Sequence, residues 1–166
     1  MDSLTYASYL CELIDIALVD EESNGELFRE FIKVFYLMDN KAIDYDLLCR
    51  SFEIKLLRAT GYNFNLEQCP LCKKKVNISN YLDLEYLGGI CSSCEKIRGV
   101  KISPPAYSAL KYLTKIPIEN LYKIKLTSQV KDELYKLLSY IINNSFGKVP
   151  KSLQAFDYIK GVDLYE

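Results

Sequence analysis

The sequence predicts a mainly α-helical domain, formed by residues 1–64 and 103–166, with a small four-cysteine ribbon of short β-strands inserted at residues 65–102. Three observations lead to this prediction. Apolar residues in both flanking parts recur at the three- and four-residue spacing of amphipathic helices. The middle segment instead alternates like a strand and contains two closely spaced cysteine pairs. A chain of 166 residues is long enough for one core with a small appendage.

The amino-terminal part is expected to form three helices. The first covers Leu4 to Leu18, the second runs from about Glu26 to Met38, and the third runs from about Ala42 to Thr60. Gly61 suits the left-handed residue that ends many helices. The residues expected to face the core are Leu10, Leu13, Ile14, Ala17, Leu18, Leu27, Phe31, Val34, Phe35, Met38, Leu47, Leu48, Phe52, Ile54, Leu56 and Leu57.

The inserted segment is expected to contain two short strands. Residues 81–86 alternate apolar and polar side chains, which predicts a strand with one buried face. Gly88 and Gly89 predict a turn, and residues 98–102 predict a short return strand. The segment therefore has the pattern of a small β ribbon.

The two cysteine pairs of this ribbon have the spacing of a metal site. Cys69 and Cys72 are separated by two residues, as are Cys91 and Cys94, and eighteen residues lie between the pairs. Soft thiolates select zinc or an iron–sulfur cluster over hard cations. Four thiolates would complete a tetrahedral shell and leave no position for water or substrate. These four residues therefore predict a structural Zn²⁺ ion that is not catalytic.

The carboxy-terminal part is expected to form two main helices. Ser103 is a favourable cap with Pro104 at the preferred first position, and Pro117 closes that helix. Thr127 caps a longer helix that ends near Gly147. After this helix, a cap at Ser152 predicts a last short helix through Phe156 and Ile159.

Composition excludes several classes of function. The chain has no histidine, so catalytic schemes built on imidazole are excluded. A net charge of −1 argues against a nucleic-acid footprint over the whole surface. Neither a leader nor a membrane-length apolar run is evident, which predicts a cytosolic protein with reduced cysteines. Cys11 and Cys49 are therefore expected to be buried packing residues.

The ribbon nevertheless has a local excess of positive charge. Residues 73–101 contain six lysine or arginine residues and three aspartate or glutamate residues. One interpretation is a surface that contacts phosphates, and the other is an ordinary solvated turn. The residues proposed for nucleic-acid contact are Lys73, Lys74, Lys75, Arg98 and Lys101.

Three stretches of the chain occur in a distinctive order and spacing. They are residues 51–62 (SFEIKLLRATGY), the cysteine pairs with GGIC at residues 88–91, and residues 146–152 (FGKVPKS). Together they resemble the RecO family of bacterial DNA repair and recombination mediators. The match covers nearly the whole chain but only the carboxy-terminal part of the family. Because the chain starts almost directly in a helix, the amino-terminal OB-fold is expected to be missing.

The resemblance implies a non-enzymatic role with single-stranded DNA. Family members anneal complementary strands and help to load recombinase onto coated DNA. The implied partners are RecR and the acidic tail of single-stranded DNA-binding protein, and the implied location is cytoplasmic and nucleoid-associated. Since an OB-fold is itself a platform for single strands, a chain without one is expected to bind DNA weakly. The chain is either an excised domain or a shortened gene product.

The third helix is the expected contact for the acidic tail. Arg50, Lys55 and Arg58 lie beside its apolar stripe, and cations beside an apolar floor suit an acidic peptide with a hydrophobic end. The alternative is an ordinary amphipathic helix with solvated charges.

Two other classes of function remain as alternatives. A zinc-ribbon regulator would bind duplex DNA directly, but the chain lacks an evident recognition helix and has little basic charge. An enzyme based on cysteine chemistry would need a thiolate with a partner base, which the paired spacing and missing histidine disfavour.

Overall fold

A computed structural model describes residues 3–18, 24–41, 43–148 and 150–153. Within these residues the chain forms five α-helices, one 3-10 helix and three short strands. In chain order they are α1 (Ser3–Ala17), α2 (Gly25–Asp39), α3 (Tyr45–Ala59), β1 (Tyr81–Asp83), β2 (Gly88–Gly89), β3 (Gly99–Lys101), α4 (Pro104–Leu113), the 3-10 helix (Ile118–Lys123) and α5 (Ser128–Phe146). The prediction of a mainly helical fold with a small antiparallel sheet is confirmed.

Helix α3 lies at the centre of the helical part. It packs against α1, α2, α5 and the 3-10 helix, and residues 46–54 are all buried. Arg58 and Ala59 near its end are exposed, but the segment of residues 46–54 belongs to the interior of the fold. Its polar residues must therefore find partners inside the protein.

Local capping signals were reliable guides to helix ends. The Ser103 side chain accepts a hydrogen bond from the Ala106 amide at 3.2 Å, and Thr127 caps α5 in the same way. At the other ends, Gly61 and Gly147 both have positive φ angles, of 95° and 63°. These predictions are confirmed because a cap depends on only a few neighbouring residues.

The sheet has the order β2-β1-β3, so β1 is central and the other two strands are edges. Strand β1 is shorter than the expected strand over residues 81–86. The reason is the buried Asp83, whose carboxylate accepts hydrogen bonds from the amides of Glu85 at 3.0 Å and Tyr86 at 2.8 Å. This side chain supplies a turn at that point and ends the strand.

The turn predicted at Gly88 and Gly89 is wrong, because these residues form β2. Gly88 pairs with Asp83 and Gly89 pairs with Leu82. A Cβ atom on Gly89 would lie only 2.2 Å from the Tyr107 hydroxyl. Glycine is needed here for the close approach of a helix side chain, not for reversing the chain.

Helix α4 holds the ribbon against the helical part. The Tyr107 hydroxyl donates to the Leu66 carbonyl at 2.9 Å. The Lys111 ammonium donates to the Val76 carbonyl at 3.1 Å and lies 2.9 Å from the Glu67 carboxylate. Leu82 of β1 joins the same hydrophobic core as the helices. The ribbon therefore depends on the helices for part of its cover.

Two further predictions concern buried thiols and the chain end. Cys49 is buried as expected, but Cys11 is exposed, because it lies on the outer side of α1. The predicted last helix through Phe156 and Ile159 lies outside the described residues. Among the described helices, none is long and apolar enough to cross a membrane.

Candidate metal centre

The four ribbon cysteines converge on one point. The sulfur atoms of Cys69, Cys72, Cys91 and Cys94 all lie within 4.8 Å of one another, and the Cys72 and Cys91 sulfurs are 3.6 Å apart. Tetrahedral zinc with Zn–S bonds of about 2.3 Å separates its sulfurs by about 3.8 Å. A disulfide bond would need about 2.05 Å. The geometry therefore suits a shared metal ion and not crosslinking.

A tight turn positions the first cysteine pair. The Lys73 amide donates to the Cys69 carbonyl at 2.9 Å, and the Cys69 amide donates to the Lys74 carbonyl at 2.8 Å. Lys73 has a positive φ of 62°, which closes the turn. The second pair is closed by the Cys94 amide, 3.4 Å from the Cys91 carbonyl. Each turn directs both of its sulfurs to the same side.

The pKa values of the thiols show why the cluster suits a cation. Burial raises the pKa of Cys69, but the amides of Cys91, Cys72 and Leu71 donate to its sulfur and lower the pKa to about 6. Cys94 has its pKa raised to about 12, because its thiol is hydrogen-bonded to the sulfurs of Cys72 and Cys91. Four sulfurs this close cannot all ionise unless a positive ion balances them. A divalent metal would supply that charge.

The cations proposed for nucleic-acid contact lie on different segments of the ribbon and differ in whether they are paired. Lys73, Lys74 and Lys75 are exposed in the turn after the first cysteine pair. Lys101 is exposed on the edge strand β3. Arg98 is instead paired with Glu85, with 2.8 Å between its Nη1 and a carboxylate oxygen. The carboxylate of Glu85 therefore partly neutralises the charge of Arg98.

The expectation that Arg50 lies at a groove edge is wrong, because this side chain is fully buried. Its Nη2 lies 2.8 Å from Glu53 Oε1, and its guanidinium lies over the Tyr135 ring at 4.9 Å from the centroid. The Tyr9 hydroxyl donates to the same Glu53 oxygen at 2.5 Å. Because this part of α3 is surrounded by other elements, Arg50 forms an ion pair in the protein interior.

The other two cations of α3 do lie at a surface cleft. Lys55 and Arg58 line a cavity of about 190 Å³ between α2 and α3. Glu26 and Glu30 line it too, and the Lys55 ammonium lies 3.5 Å from the Glu30 carboxylate. The cleft therefore contains charges of both signs.

A second groove was not foreseen from the sequence. It lies between the edge strand β3 and α5 and has a volume of about 300 Å³. Two lysines and one glutamate stand among apolar side chains. Residues 100–102 alternate apolar and cationic side chains, which indicates a strand with two different faces. Which helix packs against that strand depends on tertiary structure. The lining residues are Val100, Lys101, Ile102, Glu133, Lys136, Leu137 and Tyr140.

Comparison with known proteins finds similar sequences over nearly the whole chain. Residues 1–154 match the family described as Recombination protein O C terminal. A relative named DNA repair protein RecO from Clostridium novyi (strain NT) is 51% identical over 160 residues, covering 96% of this chain and 62% of the relative. One of the same name from Clostridium acetobutylicum is 49% identical over 159 residues, covering 96% and 64%. The chain thus spans less than two thirds of the length of these relatives.

A more distant relative with the same printed name comes from Caldicellulosiruptor saccharolyticus. It is 29% identical over 161 residues, covering 96% of this chain and 65% of the relative. In all three relatives, the similarity extends over nearly the whole chain and includes both the helical part and the ribbon.

Proposed function

The chain belongs to the Recombination protein O C-terminal family, and from this premise we propose that it is a non-enzymatic mediator domain for DNA repair and homologous recombination. It acts in the cytoplasm at the nucleoid. The observation that carries the proposal is the four-sulfur cluster within a chain of which residues 1–154 match the family. In this proposal, residues 65–102 form a zinc ribbon inserted between two helical parts.

The proposed metal is a structural Zn²⁺ ion held by Cys69, Cys72, Cys91 and Cys94. Four thiolates fill its shell, so the ion would stabilise the ribbon and offer no open position to a substrate. Metal analysis of the purified protein should give one zinc per chain. A value clearly below one, with all four thiols titrating freely, would contradict the assignment.

The proposed DNA role is assistance in annealing single strands and in loading recombinase. Lys73, Lys74, Lys75 and Lys101 are exposed and can contact phosphates, while Arg98 contributes less because Glu85 already pairs with it. A few lysines supply weak, salt-sensitive binding. Partners would therefore supply much of the localisation on DNA.

Replacing Lys73, Lys74 and Lys75 together by glutamine tests this role. Each lost phosphate contact should reduce the slope of log affinity against log salt by about 0.7 for single strands. The matched control replaces the exposed Lys41, Lys123 and Lys125 and should leave the slope near the wild-type value. Equal slopes for both triple variants would refute the lysine assignment. Preference for duplex DNA would instead favour the zinc-ribbon regulator.

The proposed protein partners are RecR and the acidic tail of single-stranded DNA-binding protein. With Arg50 buried, Lys55 and Arg58 remain as the proposed tail contacts on α3. The β3–α5 groove competes with this cleft, because its floor is more apolar and Lys101 and Lys136 stand at its rim. An acidic peptide with a hydrophobic end suits either surface.

Charge reversal distinguishes the two surfaces. Fluorescence anisotropy with an acidic tail peptide compares Arg58→Glu with Lys136→Glu at two salt concentrations. Weaker binding by the first variant alone supports the α3 cleft, and weaker binding by the second alone supports the β3–α5 groove. If neither variant weakens binding, both assignments fail.

A further inference from the structure

Three large apolar side chains of the ribbon surround a shallow depression that the function above does not use. Leu71 is 52% exposed, Tyr86 is 53% exposed and Ile97 is 70% exposed. They line a cavity of about 310 Å³, which we call the knuckle depression. Exposed apolar side chains that line one depression are a feature of interaction sites.

The positions of these side chains follow from the cysteine turns. Leu71 lies between the two cysteines of the first pair, and its amide donates to the Cys69 sulfur, while its side chain is exposed to solvent. Ile97 follows the second pair by three residues. Tyr86 stands in the turn that Asp83 closes with two hydrogen bonds. The depression is therefore held in shape by the ribbon itself, and the apolar side chains add little to the core.

The rim of the knuckle depression is acidic. Asp83, Glu85 and Glu95 line it against the single cation Arg98. Arg98 is engaged by Glu85 at 2.8 Å, and the Asp83 carboxylate accepts two amides. In the described part of the chain, no cation pairs with Glu95. Among the residues that line the depression, the carboxylates outnumber the one cation, which favours a cationic segment over an acidic one.

The opposite charge of the β3–α5 groove strengthens this distinction. That groove presents Lys101 and Lys136 against Glu133, and its glutamate already accepts a hydrogen bond from the Ser103 amide. The two surfaces therefore select ligands of opposite sign. The exposed Tyr86 ring also offers a face on which an arginine or lysine can stack.

We propose that the knuckle depression binds a basic segment of a partner protein, with a bulky apolar side chain inserted among Leu71, Tyr86 and Ile97. A lysine or arginine residue beside that side chain pairs with Glu95, since Glu85 is already paired with Arg98. This surface shares only Arg98 with the residues proposed above for DNA and none with those proposed for the acidic tail.

The test uses a fluorescein-labelled peptide made of four Lys-Leu-Gly repeats as the probe, and a Glu-Leu-Gly peptide of equal length as the charge control. Anisotropy is measured with the zinc-loaded full chain at about 50 mM and about 200 mM salt, between which surface charges become better screened. The lysine peptide should bind more tightly than the glutamate peptide. Ile97→Asp or Glu95→Lys should each lower the affinity for the lysine peptide about tenfold, the effect of truncating an interface anchor.

Matched controls separate the depression from general surface effects. Ile78 is 54% exposed on the same ribbon but does not line the depression, so Ile78→Asp should change affinity less than twofold. Asp39→Lys adds the same charge at an exposed site on α2 and should also have little effect. Metal content near one zinc per chain confirms that each variant retains its ribbon.

Three results would overturn the proposal. Ile97→Asp and Ile78→Asp could lower the affinity for the lysine peptide equally, which would indicate general charge attraction. The glutamate peptide could bind as tightly as the lysine peptide. Sedimentation could show a dimer of the wild-type chain that Ile97→Asp abolishes, in which case a second copy covers the depression.

Discussion

The buried pair of Arg50 and Glu53 shows how a single residue changes its role with its surroundings. Both side chains lie on α3 and are fully buried, and Asp46 contributes a second, more distant carboxylate at 3.9 Å from the guanidinium. Burial lowers the pKa of Arg50, but Glu53 opposes this and the net shift is upward. Burial also raises the pKa of Tyr9 well above its ordinary value. The group is therefore a stable interior ion pair with hydrogen-bonding support.

Removing Arg50 should be strongly destabilising. Arg50→Met leaves the Glu53 carboxylate buried without its cation, which costs about 3–5 kcal/mol. The exposed Arg58→Met is the matched control and should stay within about 0.5 kcal/mol. Urea unfolding of the zinc-loaded protein measures both. The double variant Arg50→Met/Glu53→Leu should recover part of the loss, and no recovery would contradict the ion-pair explanation.

Gly89 provides a second test at the same scale. Gly89→Ala places a methyl group against the Tyr107 hydroxyl and should weaken the hydrogen bond to Leu66. Overpacking of this kind costs about 1–3 kcal/mol. At Gly25 nothing lies within 4 Å of an added Cβ, so Gly25→Ala should not destabilise α2. Thermal melts that show equal effects for the two variants would argue against close approach as the reason for this glycine.

The ribbon is the element whose stability should depend on metal. Zinc binding in four-cysteine sites is worth about 10–16 kcal/mol, which is similar to the whole stability of a domain. Chelation should therefore unfold at least residues 65–102, and circular dichroism together with tyrosine fluorescence would follow the change. Cys72→Ser should lose the metal and lower the melting temperature. Cys11→Ser, also at an exposed cysteine, should do neither.

The contact between α4 and the first cysteine turn should make stability depend on pH. Hydrogen bonds from Lys115 and Lys111 lower the pKa of Glu67 to about 2. Because the folded pKa is below the unfolded one, near 4.5, the contact stabilises the fold above about pH 4.5. That contribution is lost as the pH falls from about 4.5 to about 2.

Glu67→Gln tests this dependence. The difference in urea midpoint between wild type and variant should be largest above pH 5 and should shrink toward pH 2. Metal release in acid affects both proteins, so the comparison uses the difference between them. A difference that stays constant over this range would show that Glu67 does not titrate in the folded contact.

At the scale of the whole molecule, the helices and the ribbon share one hydrophobic core. Tyr107 and Leu110 of α4 and Leu82 of β1 belong to the same buried cluster as the three amino-terminal helices. The ribbon consequently presents fixed surfaces beside the helices. The β3–α5 groove has lysines at its rim and the knuckle depression has carboxylates, so the two surfaces differ in the sign of their charge.

What could be predicted from sequence was local or compositional. The caps at Ser103 and Thr127, the left-handed Gly61 and the helix end near Gly147 involve only adjacent residues, and the helix types followed from periodicity. The convergence of the four cysteines was also foreseeable, because each pair needs only a tight turn to direct its sulfurs together.

Tertiary structure alone decided what each helix face meets. The sequence pattern predicts an exposed Arg50 and a buried Cys11, and the structure has the reverse. Periodicity shows that a helix has faces but not how many neighbours cover them. The two glycines predict a turn, whereas Gly89 is needed because Tyr107 packs against it. Sequence alone does not show this contact, because the two residues are distant along the chain. The grooves likewise depend on which elements pack together, and long-range packing is set by the free energy of the whole core and not by any local pattern.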